Sequence, residues 1–216
     1  MGYVLMTHKV ALFDVDKTII QKDSMFQFLL FGLKKKPSSF YLIFLVVIYS
    51  VFYKLKWMKA ERAKSSYFRF IKYMNEQDLE HFFNTMIKPY IYPEALMEMK
   101  NKKEDGYHIL LVTASPYAYM KFFNQFDELD GVIGTNLVKR GEQFTHMIEG
   151  NNCKGEEKVT RIKTYLNEKG IMIDYDQSCA YSDSVSDMPM LQLVNQKYMI
   201  NRHKHTAGCE GLTWSL

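Results

Sequence analysis

Three short segments concentrate the residues able to do chemistry: Asp14-Val15-Asp16-Lys17-Thr18, Thr113-Ala114-Ser115 and Ser182-Asp183-Ser184-Val185-Ser186-Asp187. Each ends an apolar run with strand character, and the sites of open α/β sheets lie at the carboxyl ends of their strands. If those strands are neighbours, Asp14, Asp16, Asp183 and Asp187 meet at one edge. Unpaired carboxylates gathered there repel one another, so a cation is required. Oxygen ligands without Cys or His favour Mg²⁺ over Zn²⁺. A carboxylate beside Mg²⁺ can attack phosphorus. A second carboxylate two residues on can protonate the leaving oxygen and later activate water. A hydroxyl such as Thr113, together with a lysine, can hold the phosphoryl oxygens where charge develops.

A single Asp-x-Asp is a weak signal, and SDSVSD alone could be a solvated turn or a helix cap. The order of the segments is specific, and it depends on the elements that carry them. HKVALFDVD (8–16) reads as a strand, HILLVTAS (108–115) and SCAYSD (178–183) as buried parallel strands, and GVIGT (131–135) and KYMIN (197–201) as shorter ones. LVKRGEQFTHMIEG, with its central Arg-Gly, reads as a β-hairpin. EEKVTRIKTYLNEKG is a helix ended by Gly170, MPMLQLV is a second, and a third covers about 93–104 before Gly106. Strands alternating with helices imply βαβ units and a parallel sheet. From Ser24 to Lys100 the sequence reads as helix almost throughout, with helical spacing in MFQFLLFGL, SSYFRFIKYM and LEHFFNTMI. That stretch is an insertion after the first strand.

The chain has 216 residues, 47% of them apolar and 24% charged. This is one domain, or one domain with an inserted subdomain, and the apolar content excludes disorder. Cys153, Cys179 and Cys209 lie far apart with no metal-ligand spacing, which argues against a secreted disulfide framework and fits a reducing, cytoplasmic setting. The N-terminal MGYVLMTHKV has no basic region followed by an apolar run and cleavage site, so it does not read as a signal peptide. A net charge of +4 is too weak to argue for a nucleic-acid partner. Local charge says more. Residues 34–64 hold eight basic residues and a single acidic one, Glu61. Between two lysine groups (Lys34 to Lys36, and Lys54, Lys56 and Lys59) lies FYLIFLVVIYSVFY, residues 40–53. Fourteen residues make roughly 21 Å of helix, short of a bilayer core of about 30 Å. The run is either the buried helix of a helical subdomain or a contact with a membrane surface, its lysines at headgroup level.

The ordered set of strand-DVDKT, strand-VTAS, a GEEK helix start and strand-YSDSVSD resembles the haloacid-dehalogenase (HAD) superfamily. The likeness, from residue 9 to about 201, is to its phosphoserine-phosphatase-like branch, which carries a helical cap after the first strand. It implies an α/β fold, a Rossmann-like parallel sheet (residues 1–20 and 101–216) with an inserted α-helical cap (21–100). It also implies a Mg²⁺-dependent phosphomonoester hydrolase acting on a small substrate through an aspartyl-phosphate. By that resemblance Asp14 matches the nucleophile and metal ligand. Asp16 matches the acid/base, with its backbone carbonyl on Mg²⁺. Lys158 matches the lysine that neutralises phosphoryl group and nucleophile, and Asp183 and its partner Asp187 match metal-holding residues. Thr18 supports the turn, Thr113, Ala114 and Ser115 contact phosphate, and Asp23 sits where the branch carries an acidic residue that reads the substrate amine.

The departures are DVDKT in place of DxDST, VTAS in place of VSGG, and the apolar run at 40–53. With its combination of DVDKT, the apolar run, GEEK and YSDSVSD, the chain looks more like a bacterial group that includes the phosphatidylglycerophosphatase C type, which acts on a lipid phosphate. A lipid-phosphate phosphatase at the membrane surface, peripheral rather than freely cytoplasmic, is therefore the alternative. A phosphotransferase on the same core would use the same residues. A binding protein with a vestigial site is opposed by the intact motif set, and a membrane-anchored scaffold rests only on residues 37–57. Lys154 reads as a surface lysine, Phe68, Phe70, Tyr73, Phe82 and Phe83 as cap core, and Cys179 as an inert buried thiol. Tyr117 and Tyr119 could line an entrance, and Trp57 and Trp214 could be interfacial or packed.

Overall fold

The computed structural model describes residues 7–215, the side chains of residues 60 and 61 excepted. Most of the N-terminal segment considered for a signal peptide lies outside the described residues, as does residue 216. Six strands form one parallel sheet in the spatial order Glu210–Leu212, Gln196–Ile200, Cys179–Ser182, Val10–Phe13, His108–Pro116, Gly131–Thr135. Val10–Phe13 lies between two of the chemistry-bearing strands. Phe13 pairs with Tyr181 on one side and Leu111 on the other, so the three strand ends come level. All four residues of this strand are buried, as expected where both faces of a sheet are covered. Val10 and Leu12 point to the face covered by Ile162 and Leu166 of the Glu156–Glu168 helix. Ala11 and Phe13 point to the other, where Phe13 stacks on Tyr181 at 4.3 Å.

The helical segment leaves and rejoins this body at an isolated bridge between Ile20 and Ile91. Gln21 N–H donates to Tyr90 O at 2.9 Å and Tyr92 N–H to Ile19 O at 3.0 Å. The helix that follows, Pro93–Glu104, buries Ala95 and Met99 against the sheet side of this junction. Within the segment, α1 (Ser24–Lys35) is N-capped by Asp23, whose side chain accepts from Phe26 N–H. α2 (Tyr41–Lys54) and α3 (Ala60–Ser65) follow. Ser66–Tyr73, expected from its spacing to be α-helical, is a 3₁₀ helix, which sets residues three apart in line. Phe68, Ile71 and Met74 repeat at that interval, and all three are buried. α1 crosses this stretch at Gly32, where a Cβ would collide with the Phe70 ring. Phe28 of α1 stacks on Tyr119 and meets Phe82 edge-on, both at 5.1 Å, so the insertion shares one apolar core with the sheet layer.

Several expectations changed on contact with the structure. The helices expected after HILLVTAS and in MPMLQLV are single turns, Tyr117–Met120 and Met188–Leu191. The sheet gains an edge strand, Glu210–Leu212, that no apolar run announces. Tyr119 is fully buried against Phe28 and Phe82, so it lines no entrance. Trp214 is packed near Tyr181, whereas Trp57 is 75% exposed. The apolar run is not a buried helix. In α2 only Leu42 and Val46 are buried.

Candidate active site

The first strand ends in a tight turn. The N–H groups of Thr18, Ile19 and Ile20 all converge on Val15 O at 3.2, 2.8 and 3.0 Å, and Lys17 takes a left-handed φ of 61°. That conformation costs an L-residue about 1 kcal/mol. Asp14 N–H donates to Tyr181 O at 3.0 Å, which fixes the start of the turn to the neighbouring strand. Asp14 and Asp16 thus leave one turn toward one cavity of about 470 Å³. Its wall also includes Lys17, Asp23, Lys64, Ala114, Ser115, Asn152, Lys154, Lys158, Asp183 and Asp187.

Two separate networks hold the two carboxylates of the turn. Lys158, 1% exposed, donates to Asp14 Oδ1 at 2.6 Å and to Asp187 Oδ2 at 2.9 Å. Ser182 Oγ donates to the same Asp187 oxygen at 2.8 Å. Burial works against the Lys158 charge, and the pairs with Asp14 and Asp187 outweigh it, so the ammonium sits above its ordinary range. One lysine between two carboxylates leaves a negative charge uncompensated. Accordingly, burial pushes the Asp14 carboxyl up, Lys158 opposes this, and Asp187 and Asp16 add to it.

Asp16 sits in the other network. Ser24 N–H donates to Oδ1 at 2.6 Å, and Ser115 Oγ donates to Oδ2 at 2.7 Å. Burial and then the charge of Asp23 raise its carboxyl, against the hydrogen bonds from Ser115 and Ser24. Thr113 is fully buried off the cavity wall, its hydroxyl turned toward Asp16 at 3.4 Å and accepting from Ser115 N–H at 3.0 Å. Thr18 is also fully buried. Its hydroxyl donates to Asp14 Oδ2 at 3.2 Å and accepts from Asp183 N–H at 2.9 Å, linking two strand ends. Burial raises the Asp183 carboxyl, Lys17 opposes this, and Asp187 and Asp16 add to it. Of the residues singled out in the sequence, Asp14, Asp16, Asp23, Ala114, Ser115, Lys158, Asp183 and Asp187 share the cavity wall, while Thr18 and Thr113 stand behind it.

Lys64 and Asn152 went unrecognised in the sequence because neither bears a spacing relation to the motifs. Lys64, at the end of α3, donates to Ala114 O at 2.5 Å and to Asn152 Oδ1 at 2.7 Å. Thr135 Oγ1 also donates to Ala114 O, at 2.7 Å, tying the carbonyl to the next strand. Burial lowers the Lys64 ammonium to about 8, although Asp16 and Asp23 pull it upward. It is a cavity-lining cation bonded to neutral oxygens. Lys154, expected on the surface, is exposed at the rim of the same cavity.

Among the described residues, no three Asp, Glu, His or Cys groups converge as a ready metal cluster. The donors that fit a hard cation are the Asp14 and Asp183 carboxylates and the Asp16 carbonyl, with Thr18 bridging Asp14 Oδ2 and the Asp183 N–H, while the Asp187 carboxylate, also expected to hold metal, is engaged by Lys158 and Ser182. Both carboxylates are raised by burial and like charge, an imbalance that a divalent cation relieves. Among the described residues, no His or Cys lies on the wall, which suits Mg²⁺ better than Zn²⁺.

A parallel sheet bearing paired aspartates at its central strand end, with a lysine and a further aspartate pair at the neighbouring elements, defines a class. The model of the haloacid dehalogenase-like hydrolases matches residues 11–192, and the chain belongs to that family. Protein CicA of Caulobacter vibrioides is 28% identical over 131 residues, which are 60% of this chain and 57% of that protein. The chain thus matches little more than half the length of that relative. A histidinol-phosphatase of Neisseria meningitidis is 24% identical over 204 residues, covering 89% of this chain and 90% of the relative. A solved phosphoserine phosphatase, described as a phospho-aspartyl intermediate analogue, shares the fold with a TM-score of 0.65 at 16% identity. The match covers 91% of this chain and 88% of that one.

Proposed function

We propose that the chain is a Mg²⁺-dependent phosphomonoester hydrolase that forms an aspartyl-phosphate on Asp14. The observation that carries this is the unequal treatment of two carboxylates on one turn. Asp14 is ion-paired to a buried lysine, whereas Asp16, with no ion pair among the described residues, is held by the Ser24 N–H and the Ser115 hydroxyl, and burial raises its carboxyl. An oxygen of Asp14 attacks phosphorus, the bond to the leaving oxygen breaks, and that oxygen takes the proton of Asp16. Asp16, now ionised and oriented by Ser24 and Ser115, takes a proton from water. The water oxygen attacks phosphorus, the acyl-phosphate bond breaks, and phosphate and the Asp14 carboxylate are regenerated. Lys158 opposes protonation of Asp14 and faces the phosphoryl oxygens where charge builds up. Mg²⁺, when bound, would be held by Asp14, Asp183 and the Asp16 carbonyl, and it supplies charge neutralisation for the transferred group. Asp187 serves by clamping Lys158.

Small phosphomonoesters are the first substrate class, in keeping with the names of the histidinol-phosphatase and phosphoserine-phosphatase relatives. The free thiols at Cys153, Cys179 and Cys209 suit a reducing cytoplasm. A lipid phosphate is a second reading with its own observation. An apolar groove of about 400 Å³ along α2 shares Ser50 and Tyr67 with the catalytic cavity, so an apolar chain could run out of the site between α1 and α2. A phosphate-release screen over phosphoserine, histidinol phosphate, sugar phosphates, phosphatidylglycerophosphate and phosphatidate separates the two.

The metal assignment has a direct check with p-nitrophenyl phosphate. EDTA should abolish turnover and added Mg²⁺ restore it, while Ca²⁺ should bind and inhibit because its longer, looser coordination misplaces the attacking oxygen. Asp183→Asn should raise the Mg²⁺ concentration for half-maximal rate about tenfold or more, with little change in melting temperature. Undiminished turnover in EDTA would contradict the assignment.

Lys64 should act on substrate binding more than on turnover. Its place on the wall of the same cavity suits a second negative group on the substrate. Lys64→Met is expected to raise KM for such a substrate about tenfold, the worth of one charge-assisted hydrogen bond. kcat should change less than about threefold. Since the ammonium holds its proton below about pH 8, wild-type KM should climb as pH rises through that value, and the variant should lack this climb. Equal KM–pH profiles for the two proteins would refute the role.

A further inference from the structure

We infer that the outer face of α2 docks on an anionic lipid bilayer. The inner face of this helix is packed: Leu42 and Val46 are buried against the insertion. The outer face presents Phe40, Tyr41, Phe44, Val47, Ile48 and Val51 to solvent, with Phe44 61% and Ile48 44% exposed. Trp57 continues the face just beyond the helix end. A contiguous strip of large apolar side chains on one helix marks an interaction surface. The charge around it selects the partner. No acidic residue occurs between Asp23 and Glu61. Exposed lysines stand at both ends of the strip, Lys34 to Lys36 before it and Lys54, Lys56 and Lys59 after it. Lys35 is paired to Asp78. An apolar strip bracketed by cations matches the layering of an anionic bilayer, acyl chains beneath a negative headgroup plane.

The helix lies in that plane and does not cross it. The stretch Pro37–Lys54 is apolar enough by composition, with a mean hydropathy of 1.4 over 18 residues. The α-helical part is only 14 residues, roughly 21 Å, against a bilayer core of about 30 Å. Its inner face is also fixed to the rest of the protein. The catalytic cavity opens beside the docked face, since Ser50 and Tyr53 of α2 are part of its wall. Docking would bring the cavity mouth to headgroup level. The surface itself does not depend on the hydrolase reading, because binding is measured without turnover.

The test is vesicle flotation of the full chain with phosphatidylcholine vesicles, with and without phosphatidylglycerol. The wild type should float with the anionic vesicles, float less with phosphatidylcholine alone, and be released by high salt. Phe44→Ser combined with Ile48→Ser should weaken binding about tenfold or more. Lys34→Gln, Lys56→Gln and Lys59→Gln together should abolish the preference for phosphatidylglycerol. Unchanged circular dichroism and p-nitrophenyl phosphate turnover in both variants would show that only the surface was altered. Three results overturn the proposal: no flotation of the wild type with anionic vesicles, equal flotation with both vesicle types, or a stable dimer that Phe44→Ser and Ile48→Ser convert to monomer. A wild type that floats but has no phosphatase activity leaves this surface standing and refutes the hydrolase reading.

Discussion

Asp14→Asn is expected to lower phosphomonoester turnover by a factor of about 10³ or more, while the protein stays folded. The substitution keeps shape and hydrogen-bonding capacity, so the Thr18 contact at 3.2 Å can persist. On the proposed mechanism it removes the anionic attacker and a metal ligand together. It also turns a buried cluster of one ammonium and two carboxylates into a neutral Lys158–Asp187 pair. Melting temperature should therefore hold or rise, which separates loss of chemistry from loss of fold. The sign of the pH effect follows from the raised Asp14 carboxyl. A group whose folded pKa exceeds its unfolded value binds its proton more tightly in the folded state. Its contribution is fully present below the unfolded value, about 4, and is lost as pH rises through the folded one. Measured in EDTA, wild-type stability should decline across that window and the Asn variant should decline less. Beryllofluoride with Mg²⁺ should modify Asp14 in the wild type only. Near-normal turnover in the Asn variant would sink the mechanism.

The sheet and its acidic edge were legible in the sequence because buried parallel strands are continuous apolar runs and the chemistry sits one or two residues past each run. Val10–Phe13, His108–Pro116 and Cys179–Ser182 carry such runs; Asp14 and Asp183 follow directly from the first and the last, and Ser115 sits in the final residues of the second. The edge strand Glu210–Leu212 was not legible, since an outer strand three residues long needs no apolar pattern. Lys64 and Asn152 reach the cavity from the insertion and from the segment after the hairpin, and only tertiary packing brings them to Ala114. The surroundings of α2 were undecidable for a different reason. An apolar 14-residue helix has the same composition in a protein core and on a membrane, and only its exposure separates the two. The 3₁₀ form of Ser66–Tyr73 shows a limit of periodicity, because intervals of three and four are shared by both helix types.

Lys158→Met should cost both activity and stability, and the two losses should come apart in a second variant. The methionine fills much of the same volume but leaves Asp14 and Asp187 facing each other without a cation. Breaking a buried ion pair on one side costs about 3–5 kcal/mol, because the remaining charge has no partner. Part of this should be recovered by lowering the pH, since a protonated carboxyl relieves the repulsion. Adding Asp187→Asn removes one of the two stranded charges and keeps an acceptor for Ser182 Oγ, so the melting temperature should rise back toward the wild-type value. Turnover should not follow. Without the ammonium, nothing in the pair with Asp14 offsets the charge on the phosphoryl oxygens, and a loss of about 10²–10³ in kcat should remain. If the double variant recovers turnover along with stability, Lys158 is a structural clamp for the two aspartates and takes no part in the transfer. If stability returns and turnover does not, the same short contact at 2.6 Å serves both to oppose protonation of Asp14 and to neutralise the group it attacks.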